Sequence, residues 1–504
     1  MSTMSKVVRL DPGRMPRVST VDERYQSYNV EMLEVTGGSF WKPYASRAAT
    51  PAERAVDTPA GMDPAAYEHR PPKDLGDRRL RMLAAALAPA YVRVSGTWAN
   101  SVYLPDAGDR VPDAPPAGFT VVLTREQWAG VVDFSRAVGA PLVTSFAISA
   151  GTRDARGVWT ADQAERVLDV TREHGGDIAA AELMNEPTIA AMSGAPAGYD
   201  GEAYDRDFAV FRDFVRRRAP GMLVLGPGSV ADNLLPERAL DAGAAGLIPT
   251  RRLLAGAGAD VDAFSYHHYG AASARCAGIG MPTTSPADAL GEEWLSRTSE
   301  MLAYYRRIRD ELVPGKRLWV TETAQAACGG DRWAATFIDS FRYLDQLGRL
   351  AKDDVDVVMH NTLAASDYGL LDERTNEPRP NYWAALVWSR LMGTTVLDGG
   401  VPVGPGLHLY AHSLRGRPGG VALLAINTSR DDAVDLDVPI AGERFELSAD
   451  ELESASIRLN GAELRLDRDE VPVLTGARTD PGTTTIAPST IVFLALPDAR
   501  NPSA

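Results

Sequence analysis

The pattern of apolar and polar positions divides the chain into two parts, with the change near residue 393. In the first part, short apolar runs alternate with segments in which apolar residues recur every three or four positions. A short apolar run bounded by turn residues predicts a buried strand, and the longer period predicts an amphipathic helix. Counted from Tyr25, eight strands are predicted, at 25–32, 91–94, 141–146, 178–183, 222–225, 261–266, 318–323 and 355–359.

Helices are predicted after most of these strands, and one of them has a clear start signal. Thr124 stands at the N-cap position and Gln127 follows three residues later, which is the arrangement of a capping box. The alternation of strand and helix predicts the α/β class and a (β/α)8 TIM barrel over residues 14–393. The predicted helices cover 75–87, 124–138, 160–174, 202–218, 287–312, 331–350 and 381–392.

After Gly393 the helical period disappears, and short alternating segments are separated by turn residues. This pattern is typical of a β-sandwich. The segment Val7–Leu10 is too early for the barrel pattern, and we expect it to add a strand to the sandwich. The predicted second domain therefore comprises residues 1–13 and 394–504. Its strands are predicted at 407–412, 420–427, 433–438, 456–459, 471–474 and 490–496.

The composition is that of an ordinary soluble globular protein, with 504 residues, 45% of them hydrophobic and 24% charged. The 52 basic and 67 acidic residues give a net charge of −15, which opposes binding to nucleic acid. No apolar run approaches the roughly 20 residues of a membrane span, so we expect no membrane partner. Residues 1–18 lack the apolar core of a secretory signal. We therefore expect a cytoplasmic location as written, or a secreted or periplasmic one if a leader was removed.

The cysteines and histidines give no sign of a metal site. Cys276 and Cys328 lie in loops after neighbouring predicted strands, where they could form one disulfide or remain two thiols. His267 and His268 are adjacent on a predicted strand and would point to opposite faces. Neither pair has further ligands at the spacing of a zinc site. We expect no metal and no cofactor, and one of the histidines would hold a carboxylate or hydroxyl group.

Two glutamates stand at or near the ends of predicted barrel strands, where barrel enzymes carry their catalytic groups. Glu186 follows a mostly apolar strand in the sequence Met-Asn-Glu-Pro, and Glu322 stands near the end of Leu318–Thr323. Two carboxyl groups on either side of a glycosidic bond can hydrolyse it. One protonates the leaving oxygen, and the other attacks the sugar if the pair is about 5–5.5 Å apart. Glu322 alone would more often be a helix cap or a surface carboxylate.

Other polar side chains at predicted strand ends would suit a sugar, whose hydroxyl groups need fixed partners and whose apolar faces need aromatic contacts. Glu31 could instead form a structural salt bridge, and Tyr269 could belong to the core. The further candidates for substrate contact are Glu31, Thr97, Asn185, His268, Tyr269 and Asn361.

Four stretches, in the same order along the chain, resemble glycoside hydrolase family 79, the family of heparanase and exo-acting β-glucuronidases. The resemblance implies retaining hydrolysis of a β-glucuronide, with Glu186 as acid/base and Glu322 as nucleophile. It implies that Asn185 holds the sugar 2-hydroxyl group and that Tyr269 lies against the nucleophile. The similar stretches are 181–187, 264–269, 319–323 with the glycines at 329–330, and 368–372 with 380–383.

In this family the uronate carboxylate is bound by a tyrosine hydroxyl and by backbone N–H groups. The resemblance assigns these to Tyr368 and to Gly329 and Gly330. Ser366 and Asp367 depart from the family pattern, in which a glycine-containing turn precedes the tyrosine. Asp367 would repel a carboxylate if it faced the pocket, so a neutral sugar remains an alternative.

The choice between exo and endo action depends on charge and on loop length. Apart from Arg275 and Arg332, few cations occur in the predicted strand-end loops, and a sulfated polyanion would need more. The long loops 36–73 and 270–288 could close one end of the cleft. We therefore predict an exo-β-glucuronidase that acts on a small aglycone or short oligosaccharide. The alternatives are a heparanase-type endo-enzyme, a retaining β-glucosidase or β-xylosidase, and a non-catalytic carbohydrate-binding protein.

Overall fold

The computed structural model describes residues 7–44, 63–232, 246–277 and 281–504. Eight parallel strands form a closed barrel in which neighbours along the chain are also neighbours in space, and the last strand pairs with the first. The predicted (β/α)8 barrel is confirmed. Its strands are β1 (Gln26–Glu31), β2 (Val92–Ser95), β3 (Leu142–Ser145), β4 (Ile178–Glu182), β5 (Leu223–Ser229), β6 (Ala263–Tyr269), β7 (Arg317–Ala324) and β8 (Val355–His360).

The helices follow the predicted order with shifted ends. The capping box is confirmed, because the Gln127 amide donates to Thr124 Oγ1 at 3.1 Å and the Thr124 amide donates back to Gln127 Oε1 at 2.8 Å. The helix predicted to start at 287 starts only after Gly291, which is extended at φ −75° and ψ 142°. The described helices are Met32–Thr36, Arg78–Ala86, Arg125–Val138, Asp162–Glu173, Gly201–Arg218, Thr250–Leu253, Glu292–Leu295, Arg297–Leu312, Phe337–Lys352 and Pro380–Leu391.

Two further sheets lie beside the barrel and form the predicted sandwich. A three-stranded sheet contains Val7–Arg9, which confirms that the first strand joins this part of the chain, together with Val434–Val438 and Gly482–Ile486. The larger sheet has nine strands, which are Arg17–Thr20, Met392–Leu397, Leu407–Leu414, Val421–Asn427, Thr490–Leu496, Gly442–Ser448, Arg458–Leu459, Ala462–Glu463 and Ala477–Thr479.

The nine-stranded sheet is covered on both faces. Leu423 and Ala425 pack with residues of the three-stranded sheet, whereas Leu424 and Ile426 belong to the same apolar core as the barrel helices. The strand predicted at 471–474 is absent, since Pro472 cannot donate to a ladder and Val473 is 90% exposed.

The edges of the two parts differ slightly from the predicted limits. Arg17–Thr20 pairs with Met392–Leu397, so the larger sheet takes in residues inside the span assigned to the barrel. The division into residues 14–393 and residues 1–13 with 394–504 remains a prediction about folding units. Two short two-stranded sheets complete the described strands, an antiparallel one of Gly38–Trp41 with Tyr67–Arg70 and a parallel one of Val102–Tyr103 with Val121–Val122.

A disulfide joins Cys276 to Cys328 and settles the alternative that the sequence left open. It ties the loop after β6 to the loop after β7, on the same end of the barrel as Glu186 and Glu322. In the described part of the chain, no helix combines the length and the hydropathy that crossing a bilayer would require.

Candidate active site

Glu186 and Glu322 converge at the carboxyl end of the barrel. One oxygen of each carboxyl group and one ring nitrogen of His267 lie within 4.8 Å of one another. Both glutamates are buried, at 8% and 6% exposure. This distance is shorter than the roughly 6.5–9.5 Å between the carboxyl groups of an inverting pair, and it suits direct attack by one of them on a sugar carbon.

The conformation of Glu186 is held by the backbone around it. Glu186 has φ +49°, in the left-handed region that non-glycine residues rarely adopt. Asn100 clamps the preceding peptide, because its Oδ1 accepts from the Asn185 amide at 2.8 Å and its Nδ2 donates to the Asn185 carbonyl at 2.9 Å. Left-handed residues of this kind concentrate at functional sites, where the surrounding contacts over-determine them.

His267 connects the two carboxyl groups, and its contacts determine which nitrogen carries the proton. Nη2 of Arg93 lies 3.3 Å from Nε2, and its two N–H bonds are directed to Glu182 and Asn185; because a guanidinium accepts no hydrogen bond, a proton on Nε2 would face another donor. The proton therefore resides on Nδ1, which donates to Glu186 Oε1 at 3.0 Å. Nδ1 is also 3.8 Å from Glu322 Oε2.

Both oxygens of Glu322 accept hydrogen bonds. Nη1 of Arg93 donates to Oε2 at 3.0 Å, and the hydroxyl of Tyr269 donates to Oε1 at 2.6 Å. Hydrogen bonds and a positive charge on a carboxylate favour its ionised form. Glu322 therefore has the environment of an anionic nucleophile.

Glu186 has the environment of an acid. Burial raises its pKa, and the charge of Glu322 raises it further, while the hydrogen bond from His267 acts in the opposite direction. For His267 itself, burial opposes protonation, but the charge of Glu322 and the hydrogen bond to Glu186 raise its pKa overall. Two carboxyl groups in such different surroundings can divide the roles of proton donor and nucleophile.

Arg93 and Glu182 are functional neighbours that the sequence reasoning missed. Arg93 is 1% exposed within β2, and its Nη2 donates to Glu182 Oε2 at 2.9 Å and to Asn185 Oδ1 at 2.8 Å. The sequence did contain a signal for both, namely one charged residue inside each of two apolar strands. Charged residues are almost never buried unless they are paired, so the two could have been predicted to pair with each other or with other charges. Asn100 gave no comparable signal.

Glu31, Asn361 and Tyr368 form a second group beside the carboxyl pair. Nδ2 of Asn361 lies 3.0 Å from Glu31 Oε1, 3.1 Å from the Tyr368 hydroxyl and 3.1 Å from the Tyr269 hydroxyl. Glu31 Oε2 is buried, has no hydrogen-bond partner among the described residues, and lies against Gly96. Burial, followed by the charge of Glu322, raises the pKa of Glu31 well above its ordinary value.

The two consecutive glycines after β7 are required by their conformation and by their neighbours. Gly329 and Gly330 have φ +78° and +76°, and a Cβ on Gly330 would lie 3.0 Å from Cβ of Tyr368. The Gly330 amide donates to the Ala326 carbonyl at 3.2 Å, so this N–H is committed to the turn. Of the two amides that the family resemblance assigned to a carboxylate, this one is therefore already used.

Asp367 does not stand alone beside this turn. Nη2 of Arg275 donates to its carboxylate at 2.6 Å, and Nη1 donates to the carbonyls of Cys328 and Gly330 at 2.7 and 3.0 Å. Burial raises the pKa of Asp367, while Arg275 favours its ionised form. Ser366, which replaces the expected glycine, takes the left-handed conformation at φ +65°.

Two predicted contact residues lie away from the central group. His268 is the neighbour of His267 on β6 and points to the other side of the strand, where Arg342 and Arg297 are the charges around it and burial lowers its pKa to about 3. The structure thus puts His267 where His268 was predicted. Thr97 is half-buried in the turn after β2, outside this hydrogen-bonded group.

Glu186, His267 and Glu322 are also close enough together to hold a metal ion. The guanidinium of Arg93 touches two of them, at 3.0 Å from Glu322 and 3.3 Å from His267. A fixed positive charge in this position repels a cation and already satisfies the carboxylate. The donor set therefore does not favour a metal, and we assign none.

Comparisons with known proteins agree with this geometry. No protein-family model matches the chain. It is 29% identical to heparanase-like protein 1 of Arabidopsis thaliana over 381 residues, 72% of this chain and 66% of the plant protein. It is 25% identical to hyaluronoglucuronidase of Hirudo nipponia over 473 residues, 85% of this chain and 91% of the leech protein.

A solved structure supports the same fold. The 4-O-α-L-rhamnosyl-β-D-glucuronidase of Fusarium oxysporum superposes with a TM-score of 0.63 at 12% identity, covering 97% of this chain and all of the fungal chain. At that identity the likeness concerns the fold. The sequence relatives support a glycoside hydrolase and confirm the predicted resemblance to glycoside hydrolase family 79, the family of heparanase and β-glucuronidases.

Proposed function

We propose that this protein is an exo-acting β-glucuronidase that releases terminal glucuronic acid by a retaining, two-step displacement. The observation that carries the proposal is the pair formed by Glu186 and Glu322: one oxygen of each lies within 4.8 Å of the other, burial raises the pKa of Glu186, and Arg93 and Tyr269 donate hydrogen bonds to Glu322. The similarity to hyaluronoglucuronidase and heparanase-like proteins supports a glucuronide as substrate.

In the first step, Glu186 gives its proton to the glycosidic oxygen while an oxygen of Glu322 attacks the anomeric carbon. The bond to the aglycone breaks, and a covalent ester forms between the sugar and Glu322. In the second step, Glu186 takes a proton from water, whose oxygen attacks the same carbon and releases Glu322. The sugar therefore keeps its β configuration.

Asn185 is oriented for the role that the family resemblance gives it. Its Oδ1 accepts a hydrogen bond from Arg93 at 2.8 Å, which turns the Nδ2 amide group away from the guanidinium. An amide NH2 group beside the acid/base Glu186 can donate to the sugar 2-hydroxyl group, whose hydrogen bonds strengthen in the transition state. Tyr269, which already donates to Glu322, would release that oxygen to the anomeric carbon as the ester forms.

Several contacts support a uronic acid rather than a neutral sugar. The charge of Asp367, which would oppose a carboxylate, is paired with Arg275 at 2.6 Å. The high pKa of Glu31, caused first by burial, favours a protonated carboxyl group that can donate a hydrogen bond to the sugar. The Tyr368 hydroxyl accepts from Asn361 and retains its own proton for a substrate carboxylate.

Exo action is supported by the contacts on the side of the pocket away from Glu186. The hairpin of Gly38–Trp41 and Tyr67–Arg70 stands beside the turn after β7, with Cβ of Trp41 near Gly329. The Tyr44 ring lies under the Arg275 guanidinium at 4.1 Å. Because the leaving group must face Glu186, this wall is next to the far end of the sugar. Arg275 is also fully engaged and offers little to a sulfated chain.

The test is hydrolysis of p-nitrophenyl β-glucuronide, β-glucoside and β-xyloside by the wild type, Glu186→Gln and Glu322→Gln. We expect turnover of the glucuronide with β-glucuronic acid as the first product seen by NMR, and loss of turnover in both variants. A higher kcat/KM on a neutral glycoside would show that the pocket binds a neutral sugar and not a uronic acid. Cleavage of internal heparan or hyaluronan bonds without turnover of the aryl glucuronide would favour an endo-enzyme.

A further inference from the structure

We infer that Glu182 is a positioning residue that divides the positive charge of Arg93 between two carboxylates and so sets how strongly Arg93 holds the nucleophile Glu322. The inference rests on the proposed two-step reaction, and adds to it a residue that does not touch the sugar. Glu182 would act entirely through Arg93.

The geometry places one cation between two carboxylates. Nη2 of Arg93 donates to Glu182 Oε2 at 2.9 Å, and Nη1 donates to Glu322 Oε2 at 3.0 Å. The side chains of Arg93 and Glu182 are each 1% exposed. Bulk water therefore has little access to the pair, and the charge on Glu182 acts on Arg93 more strongly than it would at the surface.

Glu182 is itself fixed on its other side. The Thr321 hydroxyl donates to Glu182 Oε1 at 2.8 Å, and a Cβ on Gly228, which has φ +74°, would come within 3.0 Å of the same oxygen. Burial opposes ionisation of Glu182, but the charges of Arg93 and His267 and the hydrogen bonds to the carboxylate together outweigh it, and its pKa lies below the ordinary value. The carboxylate is thus an anion held in one position by β4, β5 and β7.

The division of charge has a chemical consequence. With Glu182 ionised, Arg93 is already half-neutralised, and Glu322 is held as an anion without losing its reactivity. With a neutral residue at position 182, the whole cation would act on Glu322. Its ionised form would then persist to lower pH, and its oxygen would become a weaker nucleophile, because stronger stabilisation of an anion lowers its nucleophilicity.

Other ionisable groups face the same space and contribute to any pH profile. They come from β1, β6 and β7, from the segments that follow β4 and β8, and from the helix Gly201–Arg218 outside the barrel. These groups are Glu31, Glu186, Tyr204, His267, Tyr269, Glu322 and Tyr368. Glu182 differs from them in making a direct contact with Arg93 while standing outside the groups that face the sugar.

A structural role gives a different expectation. A buried ion pair can serve mainly to avoid an unpaired charge, and losing one partner then costs stability. Such a role would lower the melting temperature of a Glu182 variant, but would leave the pH dependence of the remaining activity as in the wild type. The pH profile of kcat/KM therefore separates positioning from structure.

The experiment compares kcat/KM for p-nitrophenyl β-glucuronide against pH in the wild type, Glu182→Gln and Asp356→Asn. Asp356 is the matched control, since it is a buried barrel carboxylate paired with an arginine, Arg317, but lies near the amino end of β8. For Glu182→Gln we expect the acid limb to move to lower pH by about one unit. For Asp356→Asn we expect the same pH profile of kcat/KM as in the wild type.

A folded Glu182→Gln enzyme with an unchanged acid limb, or with a limb at higher pH, would overturn the inference. If that variant does not fold, Glu182→Asp retains the charge one methylene farther from Arg93, and must shift the limb in the same direction by less. If neither variant folds, the ion pair of Glu182 and Arg93 is structural, and the inference is also overturned. A wild type inactive on every aryl glycoside would instead refute the proposed reaction.

Discussion

Tyr269 donates a hydrogen bond of 2.6 Å to Glu322, on the carboxylate oxygen that Arg93 does not contact. Hydrogen bonds to charged groups contribute about 1.5–3 kcal/mol. We therefore expect Tyr269→Phe to lower kcat/KM for an aryl glucuronide by roughly 10- to 150-fold. Steady-state kinetics alongside thermal unfolding would measure this, with little change expected in the melting temperature.

Tyr266 provides the control for that prediction. It lies three residues earlier on β6, and its buried hydroxyl has no hydrogen-bond partner in the described part of the chain. Tyr266→Phe should therefore retain the wild-type kcat/KM. Equal losses in both variants would show that the hydroxyl of Tyr269 has no special relation to the nucleophile.

Tyr368→Phe tests the recognition of the substrate carboxylate. The Tyr368 hydroxyl accepts from Asn361 at 3.1 Å and has its proton available for an anion. We expect kcat/KM for the aryl glucuronide to fall by about tenfold or more, as for the loss of one hydrogen bond to a charged group. The rate on an aryl β-glucoside should barely change. A parallel loss on both substrates would contradict a carboxylate-binding role.

His267→Phe tests the acid/base assignment through the pH profile. Burial raises the pKa of Glu186, and the hydrogen bond and charge of His267 lower it, so removing His267 raises that pKa further. An acid with a higher pKa stays protonated to higher pH. The basic limb of kcat/KM should therefore move upward, which a pH series on the aryl glucuronide would measure.

His268→Phe is the neighbouring control. Burial lowers the pKa of His268 to about 3, so this histidine is neutral over the working range, and it faces the other side of the strand. We expect its pH limbs to match those of the wild type. A shift of the basic limb in this variant, and none in His267→Phe, would reverse the assignment of the two histidines.

Gly330→Ala tests whether the turn after β7 positions Tyr368. The new Cβ would meet Cβ of Tyr368 at 3.0 Å, at a residue with φ +76°. The left-handed conformation alone costs roughly 1–2 kcal/mol with any side chain. Gly315→Ala supplies the comparison, because Gly315 has φ +78° and open space around its Cβ position. We expect similar melting temperatures, but a raised KM for the glucuronide only in Gly330→Ala.

The barrel could be predicted from the sequence because each strand is short, apolar and bounded by turn residues. Glu186 and Glu322 could be predicted with it, since parallel strands end on one face and both residues stand at or near such ends. The start of the helix at Glu292, directly after Gly291, was not predicted. The strand Gly442–Ser448 was not predicted either. That strand has only two buried positions, Phe445 and Leu447, and two apolar residues give little signal in the sequence.

The residues that organise the carboxyl pair could not be predicted in the same way. His267 and His268 are equivalent in a list of strand-end residues, and a one-residue change in strand register exchanges their faces. Arg93, Glu182 and Asn100 come from two strands and a turn, and their contacts with Glu322 and Asn185 exist only once the barrel has closed.

The sequence by itself determined the order of strands and helices, the sandwich that follows, and the two glutamates, because these depend on local periodicity and on position along a strand. Tertiary structure alone decided which side chains meet: the pairing of Arg93 with both Glu182 and Glu322, and the disulfide between Cys276 and Cys328. The physical reason is that charge, burial and hydrogen bonding act over a few ångströms, and the residues concerned are brought within that distance only by closure of the barrel.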